Sequence, residues 1–502
     1  MASFNAEYTP LEEIPKLRTE LRDSFASGLT LPPAFRIQQL RQLARMCQEN
    51  KDAIAEAVAQ DLAKPKIEVF SAEVGPVIER SLYAAERLHE WTRPEKIEVN
   101  TPWQKEWDTR LYRLPKGVVL VIAPWNYPVI LSLQPLGGAI AAGCCVVLKL
   151  SEVAPHYASL LTRLLPQYLD SRAYRIVNGA VPEVTKVLEL QWDHIFYTGH
   201  GAIARIVSAA AAKHLTPLTL ELGGKSPVII DPASDLTLAA RRVLYGKFNN
   251  AGQICVCPDY VLIPASAKPA FIAALQDAYK EWFPNGCLES DDFGSIVNPT
   301  HHARLKGLLD RTKGRIVMGG RVGDDKKGRM VRMELTVVDG VGQEDALMEG
   351  EIFGPILPIL EVRDVDEAIE FVRARPHPLV LYAFTQDDDV RRKVLLRTTS
   401  GNLVFNDTFM QLSGDLFDYI LHVNELPFGG VGESGYGRQA QKWSFDIFSY
   451  ERSYVDIPPR MEPGLSHRYP PYDGRAMAIM SAATNMKIPK DDVSGGGVEG
   501  LF

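Results

Sequence analysis

Four short segments between residues 117 and 198 constrain what this chain can fold into more than any other feature. GVVLVIAP, starting at 117, and CCVVLKL at 144–150 are unbroken apolar runs, and shorter strand-like segments follow at 174–178 and 194–198 (HIFYT). A strand with one wet face alternates apolar and polar residues. An unbroken run is buried on both faces, the pattern of a parallel sheet covered by helices. Helix-like stretches at 130–142, 155–167 and after 201 separate the runs. This repeated strand–helix rhythm predicts a doubly wound α/β domain. A second series begins near 218 with TLEL, then SPVII at 226–230 and a helix around 236–249, and it continues to about 400.

The flanking regions read differently. Over residues 12–94, apolar positions recur at helical spacing, as in Leu40, Leu43, Ala44 and Cys47, then Ile54, Ala57 and Val58. Residues 97–115 alternate and are aromatic, which predicts exposed extended strands. The end of the chain, 473–502, closes in VSGGGVEGLF and is expected to be a disordered tail.

Composition narrows the function classes. The net charge of −7, with no basic patch, argues against nucleic acid as a partner. Six cysteines in 502 residues are too sparse for a disulfide scaffold. Cys255 and Cys257 are not spaced as a CxxC pair, and no histidines cluster beside them, so no metal is expected. The polar, acidic start has no apolar signal core, and no run of 18 apolar residues occurs. A cytoplasmic protein without an integral membrane segment is the expectation.

Four motifs carry chemistry. After HIFYT comes Gly199-His200-Gly201-Ala202-Ile203-Ala204, a glycine turn that can bring backbone N–H groups and a helix start to a pyrophosphate. A tight turn without a ligand reads equally well. Lys149 and Glu152, in KLSE, end a parallel strand where open sheets bind ligands; as two solvated charges they would mean little. In ELGGKSP, Glu221 precedes two glycines that let the backbone pass close to another group, and its carboxylate could serve as a general base. Cys255 lies in FNNAGQIC, among Asn249, Asn250, Gly252 and Gln253, whereas Cys47, Cys144 and Cys145 sit on apolar faces. A cysteine in a polar loop can be reactive where backbone dipoles favour its thiolate.

Together these motifs resemble one family. APWNYP (123–128), KLSE (149–152), YTGHGAIA (197–204), LELGGKSP (220–227), AGQIC (251–255), EIFGP (351–355) and PFGGVGESG (427–435) stand in the order and spacing of aldehyde dehydrogenases, over roughly residues 18–470. SFDIFSYERS and RYPP are similar to the class 3 branch, whose substrates are fatty, aromatic and apocarotenoid aldehydes. The resemblance implies a nucleotide-binding domain (1–96 and 116–220), an α/β catalytic domain (221–400) and a small β bridging or oligomerisation element (97–115 and 401–460), assembled as a homodimer. It implies that Cys255 attacks the aldehyde carbonyl, Asn126 with the Cys255 N–H forms the oxyanion hole, and Glu221 activates water. It implies NAD, or NADP, held by Lys149, Glu152, Gly199, His200, Gly201, Ala204, Leu222, Glu351 and Phe353, and a substrate pocket including Tyr127 and Phe428. Glu351 is a rival base. A CoA-acylating enzyme and a non-catalytic scaffold are the alternatives, against which Glu221 and an intact Cys255 respectively argue. The sequence departs from the family pattern at Leu150, His200 and Ala204, and in extra residues at 407–421.

Overall fold

The computed structural model describes residues 7–324, 331–410 and 425–488. The four predicted strands form adjacent members of one sheet: Val118–Ile122, Cys145–Lys149, Tyr174–Val177 and His194–Thr198, joined by Leu218–Glu221 and, antiparallel at the edge, Gly435–Tyr436. The other pairings are parallel. Every residue of Val118–Ile122 and Cys145–Lys149 is buried, as an unbroken apolar run requires. Helices Ile130–Ala142, Pro155–Tyr168 and Gly201–Ala212 cross between these strands. The N-terminal helices Pro33–Glu49, Lys51–Leu62 and Gly75–Trp91 add Leu40, Leu43, Val58 and Leu88 to the same core.

A second sheet of seven strands holds its own core. Its order is Arg315–Met318, Thr336–Asp339, Ile356–Val362, Tyr260–Pro264, Pro227–Ile230, Val380–Phe384 and Asn402–Phe405. Only the first of these is antiparallel to its neighbour. Mixed α/β architecture with two largely parallel sheets is therefore the observed class.

The chain divides into two compact units. One comprises residues 1–93 and 113–450 and contains both large sheets; the other comprises 94–112 and 451–502. Segment 401–460, expected as one element with 97–115, is shared out. Asn402–Phe405 is the edge of the seven-stranded sheet, and Gly435–Tyr436 pairs with the sheet of six. Phe445 and Phe448, on helix Gln441–Phe448, belong to the first core. Only Ser449–Asp456 joins Glu95–Lys96 and Asp108–Pro115 in a three-stranded sheet. The physical reason is burial: Phe445 packs tilted against Trp91 and Phe448 stacks with Phe196 rather than facing solvent. In the smaller unit Tyr112 packs edge-on against Tyr454, and Arg460 pairs with Glu106 at 2.6 Å.

The expected disorder of 473–502 is corrected in part. Gly474–Met480 is helical, capped by Asp473, whose carboxylate accepts the Ala476 N–H at 2.7 Å. Residues 489–502 lie outside the described residues, as do 411–421 of the extra segment.

Candidate active site

Parallel strands bring their carboxyl ends to one edge of a sheet, and this is where the motifs gather. Ile122 pairs with Lys149, and Thr198 with Glu221. APWN, KLSE, TGHG and ELGG thus leave four neighbouring strands in the same direction. The turn after Thr198 is tied to the last of them by the Gly199 N–H, which donates to the Glu221 carbonyl at 3.0 Å.

Cys255 arrives from the second core. Helix Leu236–Phe248 ends, and the chain bends through Asn250 and Ala251, both at positive φ (47° and 50°). Two non-glycine residues in the left-handed region are costly unless the surroundings hold them. Gly252 follows at φ +72°, and a Cβ there would lie 2.3 Å from the Gly354 carbonyl, so the loop passes against the EIFGP segment only because glycine stands there. Of the six cysteines five are buried, and Cys255 alone keeps part of its surface open. Its thiol is pushed up rather than down: burial dominates, and the carboxylates of Glu351 and then Glu221 add to it. The N–H groups of Cys255 and Val256 pull the other way without prevailing. A thiol so raised needs a nearby base to take its proton before it can act as a nucleophile.

Both candidate bases are present. Glu221 is 3% exposed, and neither carboxylate oxygen makes a well-formed hydrogen bond. Burial pushes its carboxyl well above the usual range, against smaller pulls from Arg438 and Gln439. The glycine-rich segment wraps it: a Cβ on Gly429 would stand 3.2 Å from Glu221 Oε1 and 2.2 Å from the Gly437 carbonyl. Phe428, beside it, is buried, and its N–H and carbonyl pair with Gln439. Glu351 is raised to about 8 by burial and by Asp259, less what the Gly224 N–H, Lys225 and Arg304 return. Its Oε1 has no partner.

The group that the two glycines after Glu221 admit is Glu351: a Cβ on Gly223 would lie 2.3 Å from its Oε2. Because a carboxylate at the end of a side chain can swing away, Gly223→Ala is expected to displace Glu351 rather than unfold the protein. Turnover should drop by about 10- to 100-fold with an unchanged thermal midpoint, as misplacement by an ångström commonly does. Steady-state rates and a melting curve on one preparation check this, and a variant as active as wild type would remove Glu351 from the machinery.

Asn126 is buried, and its Nδ2 donates to the Gln253 carbonyl at 3.1 Å. An amide nitrogen carries two hydrogens, so one fixes the side chain two residues before Cys255 and the other is free for a substrate oxygen. Tyr127 is close enough to Cys255, and to Tyr245, for their charges to bear on its hydroxyl.

On the first sheet, Lys149 is 2% exposed; its ammonium donates to the Leu150 carbonyl and lies 3.5 Å from Glu152. A Cβ on Gly199 would meet Tyr197 Oη at 2.4 Å, so only glycine fits the turn. Ala204 is buried against the sheet, where its methyl fills core space. His200 caps helix Gly201–Ala212: its Nδ1 accepts the Ala202 N–H at 3.1 Å. Leu222 is buried, with its N–H donating to the Ser434 carbonyl at 3.1 Å. Phe353, at φ 50°, packs edge-on against Trp125. Among the described residues, no cluster of three metal-ligating side chains occurs, and no helix is long and apolar enough to cross a membrane.

The aldehyde dehydrogenase family model matches residues 11–453. The chain belongs to that family. It is accordingly an oxidoreductase acting on aldehydes. It is 41% identical to the mouse protein "Aldehyde dehydrogenase, dimeric NADP-preferring" over 461 residues, covering 92% of this chain and 98% of the relative. It is 42% identical to "Aldehyde dehydrogenase family 3 member A2" of Pongo abelii, over 90% of each chain. These relatives place the enzyme in the class 3 branch. A solved structure described as the substrate-bound state of Staphylococcus aureus AldH is similar with a TM-score of 0.88 and 37% identity, covering 94% of this chain and 99% of that one.

Several residues that shape the site of this family member escaped the sequence reading. Lys225 pairs with Asp259 at 2.5 Å and donates to the Leu347 and Gly350 carbonyls, fixing the start of the Glu351 segment. Arg304 donates to the Ile352 carbonyl at 2.6 Å from the other side. Lys64, Glu68 and Glu73 are buried beneath Asn126 and Asn250. Lys225 lies within the ELGGKSP motif, but its role there was not read; the others stand in no pattern that names a chemistry.

Proposed function

We propose that this chain oxidises medium- or long-chain, aromatic or apocarotenoid aldehydes to carboxylic acids through a thioester at Cys255, with NAD as cofactor and NADP as the alternative. The observation that carries the reading is a convergence. One accessible thiol stands with two largely unpaired carboxylates, Glu221 buried and Glu351 half-buried, and a tethered amide beside the carboxyl ends of parallel strands.

The residues present fit a dinucleotide. Lys149 offers a buried ammonium and Glu152 a carboxylate for ribose hydroxyls, and the unpartnered Oε1 of Glu351 is an acceptor for a further hydroxyl. Gly199 brings backbone to the helix start. The carboxylate of Glu152 favours a ribose without a 2′-phosphate. When bound, the cofactor supplies the hydride acceptor.

The chain's own residues do the rest. Cys255 Sγ gives its proton to a neighbouring carboxylate and bonds to the carbonyl carbon, and the carbonyl oxygen becomes an alkoxide. Asn126, through its free amide hydrogen, and the Cys255 N–H stabilise that oxygen; one such donor is typically worth about 3 kcal/mol. Loss of hydride from the carbon leaves a thioester. Glu221 then takes a proton from water, whose oxygen attacks the thioester carbon; the carbon–sulfur bond breaks, Glu221 returns the proton to Cys255 Sγ, and the acid leaves. A base placed for water supports hydrolysis over transfer to CoA. Tyr127 and Phe428, packed in the same core as Cys255, supply an apolar, aromatic lining. A homodimer is the expected form, supported by the printed name of the mouse relative and by the exposed edge strand Ser449–Asp456.

The test is a panel of aldehydes varied in chain length and conjugation, each with NAD+ and NADP+, following reduced nicotinamide and identifying the product. Free acid formed without CoA, with apolar aldehydes preferred, is expected. Dependence on CoA would overturn the hydrolytic route, and no turnover across the panel would overturn the substrate class.

A further inference from the structure

Three charged side chains that the mechanism above does not use are buried directly behind the site. Lys64 and Glu73 form an ion pair at 2.6 Å in which neither side chain is exposed. Lys64 follows the left-handed Ala63 that ends helix Lys51–Leu62, and Glu73 stands in the π-helical turn Phe70–Val74. π-helical turns often mark functional positions. Glu68 lies between them, 7% exposed.

Their hydrogen bonds reach both halves of the site. Lys64 Nζ donates to the Asn126 carbonyl at 2.9 Å and lies 3.6 Å from the centre of the Tyr127 ring. Glu73 accepts the Val129 N–H at 2.9 Å through the oxygen that Lys64 leaves free. The segment Asn126–Val129 is thus held at both ends. Glu68 Oε2 accepts the N–H of Asn250 at 2.9 Å, at the start of the left-handed bend that leads to Cys255. Asn250 Nδ2 closes the circuit by donating to the Asn126 carbonyl at 2.9 Å, and Gln253 Nε2 to the Asn250 carbonyl at 2.9 Å.

We propose that Lys64, Glu68 and Glu73 are positioning residues, forming one buried clamp that fixes the Asn126 amide relative to the Cys255 sulfur. A buried ion pair is weak as a source of stability, because desolvation offsets its attraction, but its hydrogen bonds fix the groups that they reach. Here the direction is set at the one carbonyl, Asn126 O, that both Lys64 and Asn250 address. Backbone strain at Asn250 and Ala251 is held by the Glu68 carboxylate. The clamp rests on the reading of Asn126 as oxyanion donor and Cys255 as nucleophile.

The test compares two reactions of Cys255 in Lys64→Met, Glu68→Ala and Glu68→Gln. Hydride transfer in a single turnover needs the oxyanion donor; alkylation by iodoacetamide needs only an accessible sulfur. In Lys64→Met, hydride transfer should slow about tenfold or more, while alkylation and KM stay within about threefold, since only oxyanion stabilisation is disturbed. Glu68→Ala should slow both reactions, and Glu68→Gln, whose amide oxygen can still accept the Asn250 N–H, should restore both. Folded Lys64→Met with wild-type hydride transfer, or Glu68→Ala and Glu68→Gln equal to each other, would overturn the clamp. If Lys64→Met does not fold, Lys64→Met combined with Glu73→Gln removes the charge stranded at position 73 and is read by the same two rates. Asn126→Ala is the control. If it transfers hydride as fast as wild type, the oxyanion reading has failed, independently of whether the clamp variants differ.

Discussion

Cys255→Ala is expected to lower aldehyde-dependent reduction of NAD+ by at least about a thousandfold, as removal of a covalent nucleophile does elsewhere. No other thiol can substitute. Cys257, two residues on, is buried, its sulfur 3.5 Å from the Gly246 and Pro258 carbonyls. The other four cysteines are buried as well. The variant should fold normally, because the Cys255 side chain is partly open and its loss leaves little cavity. Cofactor affinity should be unchanged, and the fast phase of iodoacetamide labelling should vanish. Initial rates with a saturating aldehyde, a binding titration and mass spectrometry of the labelled protein measure the three effects. Residual activity within tenfold of wild type would mean that the covalent route is wrong.

Glu221→Gln is expected to separate the two halves of the reaction. The amide keeps shape and volume but cannot accept the proton of the attacking water. One equivalent of reduced cofactor per subunit should form in a burst, and steady turnover should fall by about 100- to 1,000-fold, the range for loss of a general base. Glu351→Gln is the discriminating partner. Glu351 bears more strongly on the Cys255 thiol than Glu221 does, and its carboxyl is raised to about 8. If Glu351 were the base that acts on water, that variant would show the burst, and wild-type turnover would rise through about pH 8 as Glu351 loses its proton. Stability gives an independent reading. A carboxyl raised by burial takes up a proton on folding, so its cost to the folded state grows as pH climbs above the ordinary carboxylate range. Glu221→Gln should therefore melt no lower than wild type at pH 5 and higher at pH 8.

Much of this was legible before any coordinate. Unbroken apolar runs have no wet face, so GVVLVIAP and CCVVLKL could only be buried parallel strands, and they are. Polar neighbours distinguished Cys255 from Cys47, Cys144 and Cys145, and it is the cysteine left partly open. The glycines after Glu221 announced a close approach, and the approaching group is the Glu351 carboxylate. Other features were not legible. His200 caps helix Gly201–Ala212 through a ring nitrogen that accepts the Ala202 N–H, a contact that the sequence of the turn does not spell out. Segment 401–460 looked like one exposed element, yet two phenylalanines carry its helix into the first core.

Local pattern, then, determined the strands, the order of the motifs and which cysteine stands apart from the buried ones, because each depends on neighbours within a few residues. The tertiary structure alone decided what sets their chemistry. The raised thiol of Cys255 comes from burial and from two carboxylates contributed by distant parts of the chain. The Asn126 amide is aimed by Gln253, and its backbone is held by Lys64 and Asn250. Charge, desolvation and hydrogen-bond direction act through space over a few ångströms, and only the folded chain brings residues 64, 126, 221, 250 and 351 within that distance.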